Sequence, residues 1–364
     1  MTTTAETPTT PPATPSPPPG SPVERFGSAA VMAALVLGVL TLQLAFILSY
    51  VAAFHEPTPR DISIAVVAGP GVPDGITAQA VDRLNALDGH PLDARLATNT
   101  AEVGQLLRDR DIQGAYVIEP SGTDTLITAS AAGSSIATAL ESIFDRIALD
   151  QHRQVVVQDE IPVGVHDNRG LSGFYLSIGW VVGGYLLAAA IGLIIGAPQT
   201  LRQAWTHGAV LFGYAVASGM LGALITTHVL GTFAGPWFPL GLLGTGVVFG
   251  TALFTLGLRA AVGILAVPIA IVLFVVLGNP SAGGAFGPNV LPSFYAAIGK
   301  WITPGAGTEG VRSIAYFDNV GLGQPALALT LYAAVGAVLL LGCTARRVAR
   351  GRGSDVDTAA PAAN

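Results

Sequence analysis

Along most of this chain the hydrophobic positions run together in long stretches, and the informative marks are the charges that separate them. A charge at mid-bilayer costs about 2.5–3.5 kcal/mol on insertion scales, so charge-free intervals mark candidate spans. Crossing roughly 30 Å of hydrocarbon takes about 20 apolar residues of helix. The first interval, AAVMAALVLGVLTLQLAFILSYVAA, lies between Arg25 and His55, and the second, LSGFYLSIGWVVGGYLLAAAIGLIIG, follows Arg169. No Asp, Glu, Lys or Arg falls between Arg202 and Arg259, and the Gly-Pro step in GTFAGPW divides that interval into two spans. AAVGILAVPIAIVLFVVLG makes a fifth, with Pro268 expected to kink it, and PALALTLYAAVGAVLLLGC a sixth. The pattern predicts six transmembrane helices.

Between the first two spans the pattern changes. In ISIAVVAG, GAYVIEP and TLITAS the short apolar runs read as strands, and ITAQAVDRLNALDG, AEVGQLLRDRD and SSIATALESIFDRIALDQ have helical spacing. An α/β layer of about 115 residues inserted after the first helix follows from that alternation. The predicted order is a Thr/Pro-rich disordered tail (1–25), helix one (26–55), an α/β domain (56–169), a five-helix block (170–346), and a basic then disordered tail (347–364). The long loop inside the block, 279–324, is too apolar for a free loop and too rich in Gly and Pro for a span. LPSFYAAIGKWI and GTEGVRSIAYF should each form a short amphipathic helix, at the outer interface or dipping into the protein.

Composition agrees with a membrane class: 51% of residues are hydrophobic and 11% charged, where a soluble domain has about 25% charged. The net charge of −6 supplies no basic field for nucleic acid. Lys300 is the only lysine, so no Walker A loop exists, and Cys343, the one cysteine, reads as a small hydrophobe. No catalytic, cofactor-binding or metal-ligating motif is present. His55, His90, His152 and His166 are scattered, and the acidic residues of the inserted domain read as solvated faces. Arg202, Arg259 and the tail Arg346, Arg347, Arg350 and Arg352 flank span ends on one side, which predicts both termini cytoplasmic and the α/β domain outside. Gly192 with Gly196, and Gly246 with Gly250, stand four apart, the spacing that lets helices approach closely within the bundle or across a homodimer seam.

Two segments are similar to a known group. VQDEIPVGVHDNRGLSGFYLSIGWVVGGYL leads into the second span, and GNPSAGG is followed by LPSFYAAIGKWITPGAGTEGVRSIAYFDN before the last. They resemble the type-2 ABC exporter permease superfamily, more narrowly its phage infection protein (YhgE/Pip) group, with Thr303 where a second proline is common before Pro304. The resemblance implies a bacterial plasma-membrane protein that exports a hydrophobic or amphipathic compound. It also implies a homodimer and a separate ABC ATPase docked on the stretch APQTLRQAWTH, where Arg202 is the only full charge. A non-transporting envelope protein with a docking or receptor domain is the alternative. The residues singled out are those of the outer loop: Asn279, Pro280, Gly283, Gly284, Pro292, Pro304, Gly305, Arg312, Tyr316 and Phe317. They would form a gate, or the turns and interfacial anchors that hold the fold.

Overall fold

The computed structural model describes residues 22–73 and 75–358. The N-terminal segment expected to be disordered lies, up to residue 21, outside them. The chain divides into two units, residues 1–47 and 48–364. The described part of the first is most of a single apolar helix, α1 (Pro22–Phe54), interrupted at Gly27, where φ is 74°; its last turns, from Leu48, belong to the second unit.

The second unit begins with a mixed five-stranded sheet. Its strands are β1 (Ile62–Ala68), β2 (Leu92–Leu96), β3 (Gly114–Ile118), β4 (Thr123–Thr128) and β5 (Gln154–Asp159), in the spatial order β2-β1-β3-β4-β5. Helices α2 (Ile76–Asn85) and α3 (Thr100–Arg108) carry the parallel crossovers from β1 to β2 and from β2 to β3. β3 and β4 form an antiparallel hairpin, turning at Gly122 with φ 88°, and α4 (Ser134–Asp150) returns the chain to place β5 parallel to β4. Side chains alternate across a pleated strand. Ile62, Ile64 and Val66 therefore face Leu84, Leu140 and Phe144 on one side, whereas Ala65 and Val67 face Val103 and Leu107 on the other. β1 is covered on both faces, which is why it reads as an unbroken apolar run rather than an alternating one.

The helical part follows: α5 (Ser172–Ile194), α6 (Leu201–Leu224), α7 (Trp237–Val262), α8 (Ala266–Ile271), α9 (Ser293–Gly299), α10 (Thr303–Tyr316) and α11 (Gly323–Thr358). Five stretches among the described residues are long and apolar enough to cross a membrane: Gly27–Phe54, Ser172–Ile194, Leu201–Val229, Trp237–Leu277 and Gly323–Arg350. The fourth covers both segments in which the sequence places spans four and five. It is broken at Gly263, where φ is 65°, four residues past Arg259, at which the sequence divides the two spans. Pro268 lies in the first turn of α8, where a missing N–H costs nothing. One-turn π segments extend α6 (Ile225–Val229) and α8 (Val272–Leu277).

α7 is the hub of this block, with α5, α6, α10 and α11 packed around it. Close approach depends on glycine. A side chain on Gly219 or Gly244 would strike the facing backbone of α7 or α6, and one on Gly257 or Gly336 that of α11 or α7. These four positions were not singled out in the sequence. Of those that were, Gly250 abuts the Leu329 carbonyl, Gly192 packs on the Arg259 side chain, and Gly246 has only ordinary contact with Leu329. Gly196 has open space around it and φ 91°, so it ends α5 and packs no helix of its own chain, and its N–H donates to the Ile191 carbonyl.

Candidate functional site

The 279–324 loop folds into the rest of the second unit. α10 is buried along almost its whole length, its polar Thr303, Thr308, Arg312 and Ser313 included. Helical backbone satisfies its own interior hydrogen bonds, so what remains to be paired is the helix ends and polar side chains. At the N-terminal end Pro304 occupies the first turn, and the Pro304 carbonyl accepts from Ser177 of α5 at 2.8 Å. Thr251 of α7 donates to Thr303 at 3.0 Å. Gly305 lies so close to the Gly299 carbonyl that a side chain could not fit, which lets α9 and α10 meet backbone to backbone.

Farther along α10, charge concentrates. Glu309 lies between two arginines: Arg312, whose Nη1 donates to Glu309 Oε2 at 2.8 Å, and Arg110, whose Nη2 donates to Glu309 Oε1. Arg110 comes from the α/β domain, 199 residues earlier in the chain. It also donates to Ser313 Oγ at 2.9 Å, and its guanidinium sits 4.7 Å from the centre of the Phe317 ring. Arg312 reaches on to the Gly283 carbonyl at 3.1 Å. Burial alone would raise the Glu309 carboxyl, but the two guanidiniums outweigh it and hold the group below the usual carboxylate range.

The backbone that presents Arg110 is itself unusual. Arg110 follows α3 with φ 65°, a left-handed conformation that is uncommon for any residue bearing a Cβ and is normally filled by glycine at a helix end. Its N–H and that of Asp111 close the helix onto the Leu107 and Leu106 carbonyls at 3.1 and 2.9 Å. The turn thereby projects the guanidinium away from α3.

A second junction lies at Tyr316. Its hydroxyl donates to Asp167 Oδ2 at 2.5 Å and accepts from the Gly164 N–H at 3.3 Å. Asp167, 1% exposed, also accepts from the Ser172 N–H at 2.8 Å, so it ties the start of α5 to the end of α10. Burial, with the Asp167 charge added to it, pushes the Tyr316 hydroxyl well above its ordinary range. A third junction is Asn289, whose side-chain amide donates to the Arg60 and Asp61 carbonyls at 3.1 and 2.9 Å, beside Val290, which is buried in the core of the α/β domain.

The singled-out residues thus fall into groups. Gly283, Arg312, Tyr316 and Phe317 meet the α/β domain or a residue that does, while Pro304 and Gly305 set the backbone of α10. Gly284 packs on Phe174 of α5, and Pro292 precedes the first turn of α9. Pro280 is buried in the turn after the second π segment, and Asn279 has its Oδ1 buried without a hydrogen-bond partner. Arg110, Glu309, Asp167 and Asn289 complete the arrangement without having been singled out. Their signal was faint: RDRD reads as a solvated charge run, and only the isolation of Glu309 between apolar spans marked it.

Arg202 is elsewhere. It is exposed in the first turn of α6, after a six-residue connection (195–200) that ends in a capping box of Thr200 and Gln203, with no separate helix between α5 and α6. At the same end of the bundle Arg259 donates to the Gly192 carbonyl of α5 at 3.1 Å, and Arg347 to the Ala260 carbonyl of α7 at 2.6 Å. Each arginine satisfies a carbonyl left open in a last helical turn and complements its partial negative charge.

Between the α/β domain and the 279–324 loop lies a cavity of about 360 Å³, bordered by Arg110, Gln113, Lys300, Glu309 and Arg312. Among the described residues no group of three or more His, Cys, Asp or Glu side chains is placed to hold a metal ion. Searched against protein-family models, curated proteins and solved structures, the chain matches none of them.

Proposed function

We propose that this chain is a six-span plasma-membrane protein that serves as the membrane component of a type-2 ABC-like exporter of a hydrophobic or amphipathic compound. The observation that carries the reading is α10, a helix sunk among α5, α7 and α11 and bonded through Glu309 to an arginine of the α/β domain. Such a piece couples a domain outside the membrane to the packing of the spans. A count of six is favoured by length: the 41-residue stretch Trp237–Leu277 is about 60 Å of helix at ~1.5 Å per residue, twice the hydrocarbon thickness, and it breaks at Gly263. Arg202, Arg259 and Arg347 gather at one end of the bundle, which supports a cytoplasmic assignment for that end and for both termini, with the α/β domain outside. In this reading ATP hydrolysis belongs to a separate subunit, a second copy completes the transporter, and the chain is not itself an enzyme.

One observation favours a second reading, a non-transporting envelope protein whose outer domain docks a partner. The stretch 197–207 is a short turn and the opening of α6, so it offers an ATPase little beyond Arg202 and the exposed Trp205. Affinity capture of the tagged chain from native membranes in mild detergent, followed by mass spectrometry, separates the two. A stoichiometric ATPase supports the exporter. Recovery of the chain alone or with envelope proteins refutes it in favour of the docking protein.

A further inference from the structure

The cavity under the α/β domain has a charge imbalance and an orphaned acceptor. Arg110, Arg312 and Lys300 border it against a single carboxylate, Glu309, which leaves a formal charge of +2 (three cations less one anion). A guanidinium has five N–H donors. Arg110 commits three of them, to Ser313, Val320 and Glu309, and Arg312 two, to Glu309 and Gly283, so both retain donors.

The orphan is Gln113 Oε1, buried and without a hydrogen-bond partner. The hydrogen-bond network decides which end of this amide is free. Asn289 donates through Nδ2 to two backbone carbonyls, so its Oδ1 must face Gln113. That oxygen accepts from Gln113 Nε2 at 2.7 Å, which leaves the Gln113 oxygen for another donor. An unsatisfied buried acceptor is costly, and Arg110 and Arg312, though not the exposed Lys300, hold positive charge largely away from bulk water. One ligand chemistry relieves both.

We propose that this cavity binds a phosphate ester carrying a nearby hydroxyl or amine, its phosphate oxygens facing Arg110, Arg312 and Lys300 and its donor facing Gln113. A phosphate monoester carries about −1.5 to −2 charges at neutral pH, close to the imbalance, whereas the diester of a phospholipid headgroup carries about −1 and offsets half of it. Arginine forks suit its oxygens. The site takes the headgroup of a phospholipid or a free glycerophosphate-like solute, and it stands whether or not the chain exports anything.

The test is calorimetric titration of the full chain in uncharged nanodiscs with inorganic phosphate, glycerol 3-phosphate and short-chain phosphatidylglycerol. One of the two esters should bind saturably and on the order of tenfold tighter than inorganic phosphate, the value of roughly one added hydrogen bond. Glycerol 3-phosphate binding identifies a soluble source, and binding of phosphatidylglycerol alone identifies a lipid. Gln113→Leu should erase the preference over inorganic phosphate, and Lys300→Gln, whose side chain is exposed and buries nothing in the core, should weaken every probe. Failure of both esters to bind, or binding that neither substitution changes, overturns the proposal.

Discussion

Neutralising Glu309 tests whether the α/β domain is fastened to α10 by charge. The side chains of Arg110, Glu309 and Arg312 are 20%, 29% and 9% exposed. Removing one partner of a fully buried pair costs about 3–5 kcal/mol, and an exposed pair is worth about 0.2–1 kcal/mol. This partly covered set falls between, so a coupling of about 2 kcal/mol between Arg110 and Glu309 is expected, roughly a 30-fold rise in the opened population. Hydrogen exchange read by mass spectrometry over residues 104–118 and 303–320 measures that population. Arg110→Gln, Glu309→Gln and the double variant complete a thermodynamic cycle. The pH dependence has a definite sign. The folded pKa of Glu309 is depressed, so its contribution is complete above the ordinary carboxylate pKa and is lost as pH falls through the lower folded value. Coupling should therefore hold from pH 7 to pH 5 and fade only in stronger acid. Additive single effects, with a coupling below about 0.5 kcal/mol, would refute the charge fastening.

Other outcomes follow from single features. Tyr316→Phe removes the hydroxyl from buried Asp167 and should lower thermal stability in detergent by about 1–3 kcal/mol, without altering the helical circular dichroism. Asp124 is fully buried under Arg153 and Tyr116, with Arg153 Nε at 2.6 Å; Asp124→Ala leaves the quarter-exposed arginine and the buried Tyr116 hydroxyl without their acceptor and should destabilise the α/β domain by about 2–3 kcal/mol in a denaturant titration. Burial raises the Asp124 carboxyl, but hydrogen bonds from Arg153, Tyr116 and the Glu119 amide depress it, so that contribution is present at neutral pH and lost only in acid. Gly336→Leu should wedge α11 from α7 and abolish a monodisperse gel-filtration peak, whereas Gly196→Ala should cost only the ~1–2 kcal/mol of a left-handed residue. With Cys343 replaced by Ala, a cysteine at Asp318 should react with an impermeant maleimide in intact cells and one at Arg202 should not.

How much of this was legible depends on the range over which each signal acts. Apolar helices write themselves into consecutive residues, so the charge-free intervals located them. Strands β1, β3 and β4 were equally visible because their runs are apolar. β2 was not, since LDARL carries two charges in five residues at the edge of the sheet. β5, the other edge, has mostly exposed side chains and lacks the alternation that a half-buried strand shows. Arg110 and Glu309 were beyond reach for a different reason: a contact across 199 residues leaves no mark in either local sequence. Only the fold brings RDRD to the one glutamate of the helical block.

Lys300, on the rim of the cavity, is the chain's only lysine. Every side-chain amine in the protein is therefore at one address. Apart from the α-amino terminus, an amine-directed fluorophore, spin label or cross-linker would modify a single known position without any cysteine engineering. Its emission, mobility or captured partner would report on the space between the α/β domain and the outer loop and on no other lysine-bearing surface. The arginine-for-lysine usage that looks like a bias of composition thus leaves the molecule with a built-in probe site.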